Sequence, residues 1–184
     1  MPIAVDAYTM GGVARGISPR AAHVREAIEH EGRLVLERVD WQPIDGSAPQ
    51  RIRDASIPID DILIAVAAEE DSIPVHAVWH AIRLELGPYV VEGEMPTMPG
   101  FDPGRALTRP TGEFVLLRDV RLGFRREGSP DAPADRPIGA HALVNRYVVE
   151  SVAADLMLGF FFPGAEMIDA EPEPPSAPAL GATG

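Results

Sequence analysis

The chain has 184 residues, 46% of them apolar, and a formal net charge of −12. Cysteine is absent, which excludes disulfides, thiolate metal sites and cysteine nucleophiles. The acidic excess argues against a partner held by phosphate neutralisation, so nucleic acid is not expected as a partner.

Residues 3–16 read as a strand broken at Gly11-Gly12. Ser18-Pro19 has the form of an N-cap with proline at the first helical position, and Ala21, Val24, Ala27 and Ile28 continue it as an apolar stripe. Gly32 ends that short helix. A strand over 33–41 follows. Residues 43–56 hold Gly46, Pro49 and polar side chains and read as a loop, and 57–68 as a strand. Residues 75–86 alternate apolar and polar at their end, through Ile82, Leu84 and Leu86, and 89–95 form the next strand. Residues 96–110 hold Pro96, Pro99, Pro103 and Pro110 and read as a loop. Strands are expected over 114–124 and 141–153. Residues 155–164 are strongly apolar, and Gly159 and Pro163 limit a helix there to about two turns. The Pro/Ala/Glu composition after residue 166 predicts a disordered tail.

Part of this order occurs twice. Gly32, Leu34-Val35-Leu36 and Arg38 line up with Gly112, Phe114-Val115-Leu116 and Arg118. Upstream, Tyr8-x-x-x-Gly12 answers Tyr89-x-x-x-Gly93. Downstream, the run from Ile59 to Ala67 answers that from Asn145 to Ala153. Three matches in one order predict an internal duplication, with insertions confined to loops. The expected units are 1–72 and 73–165, followed by the tail 166–184.

The second copy resembles the Sm-like small β-barrels. The carriers are the glycine-bearing strand Val91-Glu92-Gly93-Glu94-Met95, the strand from Phe114 to Val120 with its Leu-x-Asp (Leu117-Arg118-Asp119), and the strand pair around Asn145-Arg146. A strand bent around a small barrel leaves no room for a side chain at its corner, which accounts for the glycine. The resemblance implies two tandem Sm/SH3-like barrels in a mainly β chain, with one short helix in the first copy and a short apolar helix at the C-terminus. Sm-like proteins bind RNA through an Asp-x-x-x-Asn segment and a late Arg-Gly. The first is missing from both copies, Tyr147 follows Arg146 in place of glycine, and Asp60-Asp61 stand at the matching place in the first copy. The RNA-binding function therefore does not carry over.

Arg105, Arg109, Arg118, Arg121, Arg125 and Arg126 cluster in sequence. Arg118, Arg121, Arg125 and Arg126, with Asn145 and Arg146, are the candidate set for a small anionic ligand or nucleotide. The competing reading pairs these arginines with nearby acids on a solvated face. His76 and His80 share a strand face and His141 could join them, but without a neighbouring carboxylate they form a weak metal signal, and no cofactor is expected. Ser18, Ser56 and Ser72 lack a nucleophile-elbow context, and no phosphate-binding glycine motif occurs. Leu156, Leu158, Phe160, Phe161 and Phe162 are too many large apolar groups for one face of a two-turn helix, so an interface is expected there, either in the groove between the two units or with another chain. The residues 156–162 are too few to span a bilayer, and the N-terminus MPIAVDAYTM lacks a signal-peptide pattern. The expectation is a non-catalytic cytoplasmic protein that acts through protein–protein contact or self-association, as a scaffold or a regulatory adaptor.

Overall fold

In the computed structural model the residues described are 2–19, 23–67, 76–99, 112–125, 134–154, 158 and 161–169. The strands are β1 (Ile3–Thr9), β2 (Gly12–Ser18), β3 (Arg33–Pro43), β4 (Gln50–Pro58), β5 (Ile64–Ala67), β6 (Val78–Leu86), β7 (Tyr89–Thr97), β8 (Phe114–Phe124), β9 (Arg136–Asn145), β10 (Ser151–Ala154) and β11 (Glu166–Asp169). Helix α1 (Val24–Glu31) lies between β2 and β3, and a 3-10 turn, Ile59–Asp61, between β4 and β5. The chain is mainly β, as expected. The strands form one open sheet in the order β11-β10-β6-β7-β8-β9-β5-β1-β2-β3-β4, not two closed barrels. No ladder joins β4 to β5 or β9 to β10; β5 pairs with β9 instead, Ile64 opposite Val144 and Ala65 opposite Leu143.

The pairing scheme of β5-β1-β2-β3-β4 recurs in β10-β6-β7-β8-β9. The register matches in detail. Ala7 pairs with Ala14 and Ala65, as Leu84 pairs with Val91 and Val152. Leu36 faces Ala55 as Leu117 faces Ala142. The Leu63 N–H donates to Tyr8 O as the Glu150 N–H donates to Glu85 O, and the Ile59 N–H to Gly32 O as the Arg146 N–H to Glu113 O. These equivalences differ from the sequence alignment: Leu36 corresponds to Leu117, not Leu116, and Ala65 rather than Val66 to Val152. Gly93 corresponds to Gly16, not Gly12.

Those two glycines lie opposite bulges. The β2–β3 register shifts across Gly16, opposite Arg38 (φ 54°), and the β7–β8 register across Gly93, opposite Asp119 (φ 52°). An extra residue in the left-handed region bends and twists the strand. The bend presses the facing backbone inward. A Cβ on Gly16 would lie 3.0 Å from Glu37 O, and one on Gly93 2.9 Å from Arg118 O.

Two cores flank the central strands. One gathers Val24 and Ile28 of α1 with Leu34, Leu36 and Val39 of β3, and it also takes Phe114, Leu116 and Leu143 from β8 and β9. The other gathers Leu84, Val91, Leu117, Leu122 and Val152, and it takes Tyr8 and Ile64 from β1 and β5. Successive strand residues point to opposite faces, so β8 sends Phe114 and Leu116 one way and Val115 and Leu117 the other. Burial on both faces is why β8 opens as a continuous apolar run.

Three further expectations are corrected. The helix begins at Val24, not at Ser18, which ends β2. Residues 50–56, read as loop, form β4 together with 57–58; only Ala55 and Ile57 turn inward, so the apolar signal is sparse. Among the described residues no helix occupies 155–164. Phe161 and Ala165 N–H groups close turns onto Leu158 O and Phe162 O, and β11 then runs parallel to β10. It takes up 166–169, the start of the expected disordered tail; 170–184 lie outside the described residues.

Gly16→Ala and Gly93→Ala should each lower unfolding stability by about 1–3 kcal/mol, because the clash is with backbone oxygen that cannot turn aside. Gly11→Ala, whose Cβ would meet only the Trp41 ring at 3.6 Å, should stay within about 0.5 kcal/mol of the parent in urea titration.

Candidate functional site

The candidate arginines do not converge. Arg118 donates through Nε to Glu94 Oε2 at 2.6 Å, and its guanidinium lies 4.0 Å from the Trp79 ring centroid. Arg125, at the far end of β8, pairs with Glu150 and reaches Glu85 at 3.5 Å. Arg121 is exposed between them, and Arg126 lies outside the described residues. Asn145 and Arg146 are buried, 2% and 4% exposed, which leaves little of either for a ligand. Asn145 Oδ1 instead accepts the Tyr147 N–H at 3.0 Å, and the Arg146 guanidinium lies over the Tyr147 ring.

The histidines are apart in role. His76 is exposed, and His80 Nε2 lies 2.9 Å from Thr97 Oγ1. His141 sits on β9 opposite Arg118. Among the described residues no group of three or more His, Asp or Glu side chains is placed to hold a metal. Of the apolar set, Leu158 and Phe162 are fully buried in the second core and Phe161 packs against it. Leu156 and Phe160 lie outside the described residues. Among the described residues no helix is long and apolar enough to cross a membrane.

Two surface features remain, and of the residues that form them only Arg125 was a candidate from the sequence. The first is β4, which among the described strands pairs only with β3 and lies at one end of the sheet. Beside it is a cavity of about 440 Å3 with Trp41, Ile52 and Ile57 on its walls and Asp60 and Asp61 at its rim. The second is a cleft of about 570 Å3 where the two halves meet, lined by Arg15, Gln42 and Ile44 from one and Phe124, Arg125 and Arg136 from the other. Of these arginines only Arg125 belongs to the sequence cluster; Arg15 and Arg136 lie outside it.

Tyr89 forms the floor of that cleft and joins the halves. Its hydroxyl donates to Thr9 O at 2.9 Å, with Gly12 O at 3.3 Å, and its ring meets Tyr8 edge-on at 5.7 Å between centroids. Burial, then the neighbouring Tyr8, pushes the Tyr89 phenol up to about 12. Comparison with protein-family models, with curated proteins and with solved structures gives no match.

A phenol whose pKa is raised on folding stabilises the fold fully below its ordinary value near 10 and progressively less as pH rises towards 12. Two units correspond to roughly 3 kcal/mol. Tyr89→Phe should cost about 1–2 kcal/mol at neutral pH through the lost hydroxyl bonds. It should also flatten the fall in stability between pH 10 and 12, measured by denaturant unfolding at stepped pH.

Proposed function

We propose that this chain is a tandem pair of Sm-like five-stranded units that acts in the cytoplasm without catalysis, by adding a strand of a partner protein to β4. The reading of two related units is supported by the repeated pairing order and by the bulges at Arg38 and Asp119, each opposite a glycine. The observation that carries the interaction is the β4 edge: nine residues long, with no described strand on its outer side. Such an edge offers a row of backbone donors and acceptors to an extended peptide. Arg51, Arg53 and Asp54 stand on it, and charged residues on an edge discourage indiscriminate pairing. The Trp41 cavity beside it takes an apolar side chain, and Asp60 and Asp61 select a strand with a neighbouring basic residue.

The inner N–H groups of β4 are set by the Ile59 bond to Gly32 O. Antiparallel alternation from that point turns the Asp54 N–H outward. Asp54→Pro therefore removes an outward donor and leaves the β3 ladder intact, as edge strands permit. A photo-crosslinking residue at Ile52, expressed in the native host, should give one discrete protein adduct, and Asp54→Pro should abolish it with circular dichroism unchanged. No adduct at Ile52, or an adduct that survives Asp54→Pro, would refute strand addition.

A further inference from the structure

We propose that the cleft between the two halves binds a small planar organic anion, an aryl carboxylate or aryl phosphate. The charge there runs against that of the whole chain. The net charge is −12, yet the described residues lining the cleft include Arg15, Arg125 and Arg136 and no carboxylate.

The three guanidinium groups differ in commitment. Arg15 is held by Asp6 Oδ2 at 3.1 Å and by Gln42 Oε1 at 3.0 Å. Arg125 is held by Glu150 and Glu85. Arg136, the first residue of β9, is exposed, and no hydrogen bond or ion pair ties it to another described residue. It is the cation left for an incoming anion, since the charges of Arg15 and Arg125 are balanced by their carboxylate partners. An arginine fork matches either a carboxylate or a phosphate through paired N–H bonds.

The walls set the rest of the ligand. Phe124 is 47% exposed, unusual for a phenyl ring, and packs only one side against Tyr89, at 5.8 Å between centroids. Pro43, Ile44 and Pro88 complete an apolar slot. Its volume of about 570 Å3 lies within the range of small-molecule sites, about 300–1,000 Å3, which combine apolar walls with a few convergent polar groups. A flat ring on Phe124 with its anionic group towards Arg136 uses both features at once. The site shares no lining residue with β4 or with the Trp41 cavity, and it stands or falls independently of strand addition.

The test uses the full chain and three probes of one ring: 1-naphthoate, 1-naphthyl phosphate and the neutral 1-naphthalenemethanol. In amide NMR titration at least one of the two anions should shift Gly12 and Gly46 saturably, and the neutral alcohol should bind at least tenfold more weakly. Arg136→Gln should weaken the anion at least tenfold with the melting temperature unchanged, since that side chain holds nothing in the fold. Phe124→Ala should weaken the anions and the alcohol alike. No saturable shift with either anion, equal affinity for the alcohol, or unchanged affinity in Arg136→Gln would overturn the proposal.

Discussion

The structure depends on strands that are buried on both faces where its halves meet. β5 and β9 join through Ile64 opposite Val144 and Ala65 opposite Leu143, with the Asn145 N–H donating to Leu63 O. The ladder is short, but each strand at the seam supplies both cores. Phe114, Leu116 and Leu143 are lent to the core around α1, and Tyr8 and Ile64 to the core around β7. A fully buried side chain of this size contributes roughly 1.5–3 kcal/mol. Withdrawing one half would therefore strip several such contributions from the other. A division at residues 72–73 describes the order of strands, not two separately sufficient cores.

Polar contacts reinforce the seam at its two ends. At one end, Glu29 of α1 accepts the N–H groups of Glu113 and Phe114 at 2.8 and 3.3 Å, and Arg25 Nη2 donates to Phe114 O at 3.1 Å. The helix of the first half thus clasps the first residue of β8. Burial, then Asp60 and Glu29, pushes the Glu113 carboxyl above the usual carboxylate range, a sign of how many acids gather there. At the other end the Tyr89 hydroxyl reaches the β1–β2 turn. Each half donates to backbone groups of the other, so the halves are held in register as well as in contact.

Much of the strand content was legible because burial leaves a pattern. β8 was bounded correctly from Phe114 to Phe124, and Gly32 ends the helix with φ 66°, the left-handed conformation expected of a C-terminal cap. The failures have physical causes. Tyr8-x-x-x-Gly12 mimics Tyr89-x-x-x-Gly93 in letters, but Tyr8 lies on β1 and Tyr89 on β7; the two rings touch and are not equivalents. The glycine that matches Gly93 in strand register is Gly16, and only the strand pairing and the backbone its missing side chain would strike reveal it. β4 looked like loop because an exposed edge needs few apolar residues. The cleft was illegible because Arg15 and Arg136 meet only after β1, β5 and β9 have paired.

The two ends of the sheet differ. At one, β11 lies alongside β10, Val152 opposite Met167, and occupies the side that β5 uses to meet β9 in the equivalent position. At the other, β4 borders the sheet. Two complementary free ends would let copies add head to tail without a stopping point. With β10 covered, the described sheet ends in two unlike borders, four residues of β11 and nine of β4. Two copies that meet through β4 pair like border to like border about a two-fold axis, and that arrangement closes on itself. The short terminal strand thus makes the two ends unequal: β4 offers more than twice the length of ladder that β11 does, which favours a closed pair over head-to-tail growth.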